Sequence, residues 1–139
     1  MGLEAMSVDG LVTVRSDFGP ADTVNRLEAA VRARGLTVFA HIDHAAGAAQ
    51  VGLALRPTDL LIFGNAKGGT PLMQVAQTIG IDLPLRALVW QDESGTAWLS
   101  YDDPVRIAER HGIGHAVDTS IHALATGLEA IAKAATTSP

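Results

Sequence analysis

The stretch Asp59–Phe63 constrains the fold of this chain most strongly. It is a short apolar run between Pro57-Thr58, which interrupts regular secondary structure, and Gly64. A strand that is apolar on both faces is typical of a sheet interior with cover on each side. We therefore expect Asp59–Phe63 to form a central strand that is almost fully buried.

Further strands and helices are predicted on both sides of this run, from β-branched or alternating stretches and from apolar residues at helical spacing. The other strands are predicted at Leu11–Ser16, Leu36–Asp43, Leu85–Asp92 and Thr96–Tyr101, with a fragment at Leu53–Leu55. Helices are predicted from Pro20 to Arg34, over Ala45–Val51, from Thr70-Pro71 to Gly80, from Asp103-Pro104 to His111, and after a cap at Asp118.

The order of these elements predicts the fold class. Glu93-Ser94-Gly95 is a hairpin signal between the last two strands, so Trp90 and Trp98 are expected to meet across the hairpin. A mixed element order with a late hairpin favours an α+β fold over a doubly wound parallel sheet. We expect a single mixed β-sheet packed with helices, a late β-hairpin and a C-terminal helix.

The chain length of 139 residues fits one domain. We assign residues 11–134 to a single α+β domain and residues 135–139 to a frayed tail. Residues 1–10 are predicted to be a flexible N-terminal segment or an expression remnant, because Met6 offers a second start.

Composition and charge exclude several classes of function. The chain has no cysteine, which excludes disulfides, thiolate metal ligands and a cysteine nucleophile, and which is compatible with a cytoplasmic location. The net charge is −5 and no basic stripe is present, so we expect no nucleic-acid partner. No apolar stretch approaches about 20 residues, so we expect no membrane partner. The expected partners are a small-molecule or anionic ligand and a second copy in a homodimer, and no cofactor is indicated.

Five segments in order are similar to the bacterial family called domain of unknown function 302 (DUF302). They are Val38–His44, Leu60–Asn65, Thr70–Met73, Leu83–Trp90, and Trp98–Tyr101 with Asp103-Pro104. The resemblance covers roughly Leu11 to His111, and it departs from the family pattern at Ala66, where proline is common. It implies a small α+β fold and supplies no reaction and no catalytic residues.

The most suggestive chemical cluster is His41, Asp43 and His44 at the end of a predicted strand. Alternation places His41 and Asp43 on one face, where imidazole and carboxylate could form an acid–base pair or bind a transition metal. A metal would need a further ligand, for which Asn65 and His111 are available. The simpler interpretation is a hydrogen-bonded pair without chemistry.

The second candidate is the glycine-rich loop that follows Phe63. Glycines allow a ligand to approach the backbone, and Lys67 would add a positive charge next to Asn65. If the strands before His44 and Asn65 are parallel neighbours, their carboxyl ends share one edge of the sheet. We then expect a polar pocket that gathers six side chains, namely those of His41, Asp43, His44, Asn65, Lys67 and Tyr101.

Three functions remain open from the sequence. The leading hypothesis is a small-ligand-binding domain that uses this pocket. The alternatives are a metal- or acid–base-dependent enzyme that uses His41 and Asp43, and a protein interaction domain without a ligand. A deep pocket, as opposed to a flat surface, would separate the first hypothesis from the third.

Overall fold

The computed structural model describes residues 8–139, apart from the side chain of Ala116. Residues 1–7, most of the predicted N-terminal segment, lie outside the described residues. Within the described range the chain forms five strands, β1 (Leu11–Arg15), β2 (Thr37–Asp43), β3 (Thr58–Gly64), β4 (Leu85–Gln91) and β5 (Ala97–Asp102).

Five α-helices occur in the same range: α1 (Pro20–Ala33), α2 (His44–Gln50), α3 (Ala66–Val75), α4 (Pro104–Arg110) and α5 (Asp118–Thr136). Two short 3₁₀ helices lie at Gln77–Ile81 and His115–Val117. Proline at the first position of α1 and of α4 lacks only an amide that would have no partner inside the helix. Gly35 ends α1 with a φ of 75°, a backbone conformation that suits glycine.

The strands form one sheet in the order β1-β5-β4-β3-β2. Each neighbouring pair is antiparallel, so the predicted α+β class is confirmed but the sheet is not mixed. The predicted hairpin is also confirmed, since β4 and β5 are adjacent and Gly95 has the positive φ that the turn requires. Strands β2 and β3 are antiparallel because the connection through α2 re-enters the sheet at the end where β2 finishes, where Asp43 pairs with Asp59.

Helices α1 and α5 cover one face of the sheet and leave the other face open. The covered face carries the main core, and Leu61 and Phe63 of β3 contribute side chains that are at most 2% exposed. Leu60 and Ile62 alternate with them on the open face and are only half-buried. The prediction of a central strand with cover on both sides is therefore wrong, because β3 is second from the edge and has helices on one side only.

The open face satisfies its polar groups internally. Ser100 accepts a hydrogen bond from the indole N–H of Trp90 at 3.0 Å and also bonds to the hydroxyl of Thr13 at 2.9 Å. The rings of Trp90 and Trp98 stack with their centroids 6.2 Å apart, which confirms the predicted contact across the hairpin. Leu60, Ile62 and Leu88 add aliphatic surface to this face, and Arg86 and Asp102 form an ion pair on it at 2.9 Å.

Several predicted boundaries are wrong. Helix α3 begins at Ala66 with Asn65 as its cap, so Thr70-Pro71 lies inside the helix. Asp118 is the first residue of α5 and bonds to His115, so it does not cap the helix.

The predicted strand fragment Leu53–Leu55 has no strand structure. Residues 135 and 136 belong to α5 and are at most 3% exposed, so the predicted tail is wrong there.

Asp103, by contrast, caps α4 and supports a test of stability. Its carboxylate accepts a hydrogen bond from the amide of Val105 at 3.0 Å. We expect Asp103→Ala to lower the free energy of unfolding by about 1 kcal/mol, because a helix amide loses its partner. The control Asp118→Ala removes an exposed pair with His115 and an acidic charge in the first turn of α5 but no capping hydrogen bond, and we expect a smaller loss of about 0.5 kcal/mol. Urea denaturation measures both, and equal losses would contradict the assignment of the cap.

Candidate functional site

The two candidate segments lie at opposite ends of the strand pair β2–β3. Asp43 pairs with Asp59 at one end, and Thr37 pairs with Gly64 at the other. Six residues of extended chain separate the ends by roughly 20 Å. The predicted shared pocket is therefore wrong, because it required parallel neighbours and the strands are antiparallel.

At the first end, His41 bonds to a residue that the sequence analysis did not single out. Its Nε2 lies 2.8 Å from a carboxylate oxygen of Asp59. Asp43 instead accepts a hydrogen bond from the amide of Ala46 at 2.9 Å and caps α2, while His44 is exposed at the start of that helix. The predicted pair of His41 with Asp43 is thus replaced by a pair with Asp59. Within residues 8–139, no three His, Asp or Glu side chains gather closely enough to hold a metal ion.

At the other end, the loop after β3 is held by its own asparagine. The side-chain oxygen of Asn65 accepts a hydrogen bond from the amide of Gly68 at 2.7 Å, which caps α3. Lys67 is exposed on the first turn of this helix. The loop is therefore an ordered strand-to-helix connection.

This connection forms one wall of a cavity of about 390 Å³. The cavity lies where the ends of β3 and β4 meet α3 and α5. Most of the side chains that line it are apolar; they include Leu36, Met73, Leu83, Leu124, Leu128 and Ile131. Asn65 is the one residue of the six predicted site residues that lines this cavity.

Arg34, at the end of α1, lines the cavity, and its guanidinium group lies next to Gly127 of α5. A β-carbon added to Gly127 would lie 3.7 Å from a guanidinium nitrogen of Arg34. Within the described residues, Arg34 makes no ion pair and its side chain makes no hydrogen bond. Glycine inside a helix costs about 0.5–1 kcal/mol relative to alanine, so Gly127 lowers the intrinsic stability of α5.

Neither Arg34 nor Gly127 was predicted from the sequence as part of a site. The sequence pattern predicts only that Arg34 ends a helix, and it assigns no role to Gly127. A signal was present, because a single glycine interrupts the helical pattern between Leu124 and Leu128. Such a glycine often has a packing or functional reason.

Tyr101 lies in a different part of the molecule. It projects from β5 on the covered face and lines a second cavity, of about 440 Å³, between β1, β5 and α5. Burial raises the pKa of the Tyr101 phenol, and the negative charges of Glu129 and Asp103 raise this pKa further. Tyr101 is therefore separate from the cavity beside Asn65.

A buried polar cluster that the sequence did not predict joins the 3₁₀ helix Gln77–Ile81 to the end of α4. The carboxylate of Asp82, whose side chain is 7% exposed, bonds to Nε2 of His111 and to the guanidinium of Arg110. Nδ1 of His111 lies 2.9 Å from the hydroxyl of Thr78. His111 was predicted as a candidate metal ligand, and in the structure its two ring nitrogens bond to Asp82 and Thr78.

Comparison with known proteins identifies relatives of this chain. The family model described as "Domain of unknown function DUF302" matches residues 12–131. The crystal structure of an uncharacterized conserved protein DUF302 from Bacillus stearothermophilus superimposes with a TM-score of 0.82 over 92% of this chain and 99% of that chain. The two sequences are 19% identical, so this likeness concerns the fold.

Two curated relatives carry a name that points to a membrane. They are "Fluoride-specific ion channel FluC 1" of Brucella suis biovar 1 and "Fluoride-specific ion channel FluC 2" of Brucella melitensis biotype 1. Each is 48% identical over 124 residues, which is 89% of this chain and 49% or 46% of the relative. The chain therefore spans about half the length of the curated relatives it matches.

These relatives correct the predicted set of partners. We predicted partners that exclude a membrane, and this prediction is wrong because the curated relatives are named as ion channels, which are membrane proteins. In residues 8–139, no helix has both the length and the apolar character that a membrane crossing requires.

The position of Tyr101 supports a prediction about pH, because it is the only tyrosine of the chain. We expect the phenol to ionise above its ordinary pKa of 10.0. The unfolded chain would then lose this proton first as the pH rises, so folding stability should fall above pH 10.0. We expect Glu129→Gln to lower the pKa of Tyr101 because it removes a negative charge. The pKa should still lie above 10.0, because the phenol stays buried. Ultraviolet titration of the phenolate measures the pKa, with Glu93→Gln in the hairpin turn as the control. An equal shift in both variants would contradict the assigned cause.

Proposed function

This chain belongs to the DUF302 family of domains of unknown function, and we propose that it is a small-ligand-binding domain whose site is the cavity beside Asn65. The observation that carries the proposal is the cavity itself, about 390 Å³ in volume and lined mainly by apolar side chains. Ligand pockets in proteins commonly occupy about 300–1,000 Å³ and combine apolar walls with a few polar groups. The proposed pocket is thus more apolar than the one expected from the sequence.

The walls of the cavity support the proposal because they belong to packed elements. Leu83 and Leu124 line the cavity and also pack against both hydrophobic clusters of the domain. The cavity also lies next to a loop at a strand end, a position where binding residues are frequent.

The enzyme hypothesis receives less support from the geometry. His41 and Asp59 form an exposed pair at the far end of β3, away from the cavity. His111 and Asp82 are buried together, and the hydrogen bonds to Arg110 and Thr78 occupy them. Neither pair lines the cavity beside Asn65. We therefore place ligand binding ahead of catalysis.

Blocking the cavity tests the proposed function. Ala123 lines the cavity, whereas Ala130 lies two turns further along α5, is exposed and does not line it. We expect naphthalene, a small apolar probe, to bind the natural protein. Ala123→Trp should weaken this binding at least about tenfold, or about 1.4 kcal/mol, because the indole fills the space.

The control Ala130→Trp should bind naphthalene as the natural protein does. Chemical-shift titration by NMR measures the affinity, and a thermal melt confirms that each variant is folded. Equal binding by both tryptophan variants, or no binding by the natural protein, would refute the assignment of the cavity as a ligand site.

The relatives favour a second candidate function. We infer that this domain also acts beside a membrane channel, facing the cytoplasm, because proteins named fluoride-specific ion channels contain a half that is 48% identical to this chain. The open face of the sheet offers a surface for such an interaction. Leu60, Ile62 and Leu88 are half-buried on it, and Ile42 is 40% exposed.

A chimera tests this second candidate. In the Brucella suis relative, the matched half would be removed or replaced by this chain, and fluoride release from proteoliposomes would be followed with an electrode. We expect removal to lower the fluoride flux and replacement to restore it. Ile42→Lys on the open face should abolish the restoration, because it places a charge on the proposed contact.

Ile81→Lys is the matched control, since Ile81 is 75% exposed and lies outside the sheet. It should restore the flux as the natural sequence does. An unchanged flux after removal of the matched half would count against a role in the channel. Equal fluxes for the two lysine variants would count against the open face.

A further inference from the structure

We propose that Arg34 determines which ligand the cavity accepts, by donating hydrogen bonds to an oxygen acceptor on a molecule whose body is apolar. The inference rests on the proposed ligand-binding function and goes beyond it by naming the class of ligand. It follows from how Arg34 is held, from the space around its guanidinium group and from the walls beside it.

The backbone at Arg34 is held by the end of α1. The amide of Gly35 bonds to the carbonyl of Arg32 at 2.9 Å, and the amide of Leu36 bonds to the carbonyl of Val31 at 3.2 Å. This pair of bonds is the Schellman motif, which closes a helix with a glycine in the left-handed conformation. Leu36 lines the cavity, so the same motif places both an apolar wall and the arginine at its edge.

The guanidinium group of Arg34 is free to bind a ligand. It offers five N–H donors, and within the described residues it bonds to no side chain or carbonyl oxygen. Gly127 of α5 lies beside it: a β-carbon added to Gly127 would be 3.7 Å from a guanidinium nitrogen of Arg34, which is ordinary van der Waals contact. The guanidinium group therefore lies next to α5 at Gly127, at the edge of the cavity.

Phe39 supplies a second feature of the same edge. Val38 pairs with Phe63 and Ala40 pairs with Ile62, so Phe39 has no partner on β3 and forms a bulge. Bulges redirect side chains and are frequent next to binding sites. The ring of Phe39 is 55% exposed and lines the cavity together with Arg34. An apolar body could therefore contact this ring while its acceptor meets the guanidinium group.

The chemistry of this edge discriminates between ligands. Arg34 is exposed at the edge of the cavity, so its guanidinium favours an acceptor by adding a charge-assisted hydrogen bond to the burial of the apolar body. An apolar molecule with a carbonyl oxygen at one end meets both requirements. A molecule of the same size without this oxygen should bind more weakly.

Two probes that share one apolar body test the inference. Naphthalene has no acceptor, and naphthamide adds one carbonyl oxygen in a neutral group. We expect the natural protein to bind naphthamide about tenfold more tightly than naphthalene. Arg34→Met keeps the apolar length of the side chain and removes the donors, so the ratio of the two affinities should fall to about one. Affinity for naphthalene itself should stay within about twofold.

Two further variants separate recognition from a general structural effect. Arg32→Met changes an exposed arginine on the same helix that does not line the cavity, and it should preserve the tenfold ratio. Arg34→Lys retains a donor and should recover part of the ratio. NMR titration and a thermal melt of each variant provide the affinities and the check of folding.

The outcomes distinguish this inference from the proposed function. If naphthalene binds and naphthamide binds no more tightly, the role of Arg34 is refuted and the ligand-binding function stands. A tenfold ratio that persists in Arg34→Met also refutes it. If neither probe binds the natural protein, the proposed function fails and the inference fails with it.

Discussion

Packing of α1 and α5 against a single face of the antiparallel sheet is the contact on which the other features depend. Their apolar stripes meet Leu61, Phe63 and the inward residues of β4 and β5, and this layer forms the main core. A second, smaller cluster forms where α3, α4 and the 3₁₀ helices pack near the start of α5. The cavity lies between these two clusters, so its existence follows from the way one helix serves both of them.

Two of the glycines that line the cavity, Gly64 and Gly127, reduce the stability of the domain. Gly127 lowers the intrinsic stability of α5, and Gly64 adopts a φ of 153° that other residues rarely occupy. Both glycines line the same space. Alanine at position 127 would favour the helix, and it would also bring a methyl group against Arg34.

The two proposed roles are physically compatible. The cavity lies at the end of β3 where α3 begins, whereas the open face is the opposite surface of the sheet from α1 and α5. A ligand could therefore bind without occupying the surface proposed to meet a channel. Because β3 and β4 contribute to both regions, ligand binding and the proposed contact share structural elements.

The sequence by itself determined the local elements. Periodicity and caps located α1, α4, the β4–β5 hairpin and the α+β class, because these depend on neighbours along the chain. It could not determine how distant segments pair. His41 and Asn65 were expected together, and antiparallel pairing of β2 with β3 separates them. Three other contacts likewise form only when the chain packs. They join His41 to Asp59, His111 to Asp82, and Arg34 to α5 at Gly127. Tertiary structure decided these contacts, since strand direction and helix packing are set by burial of the whole apolar surface and are not encoded in any one segment.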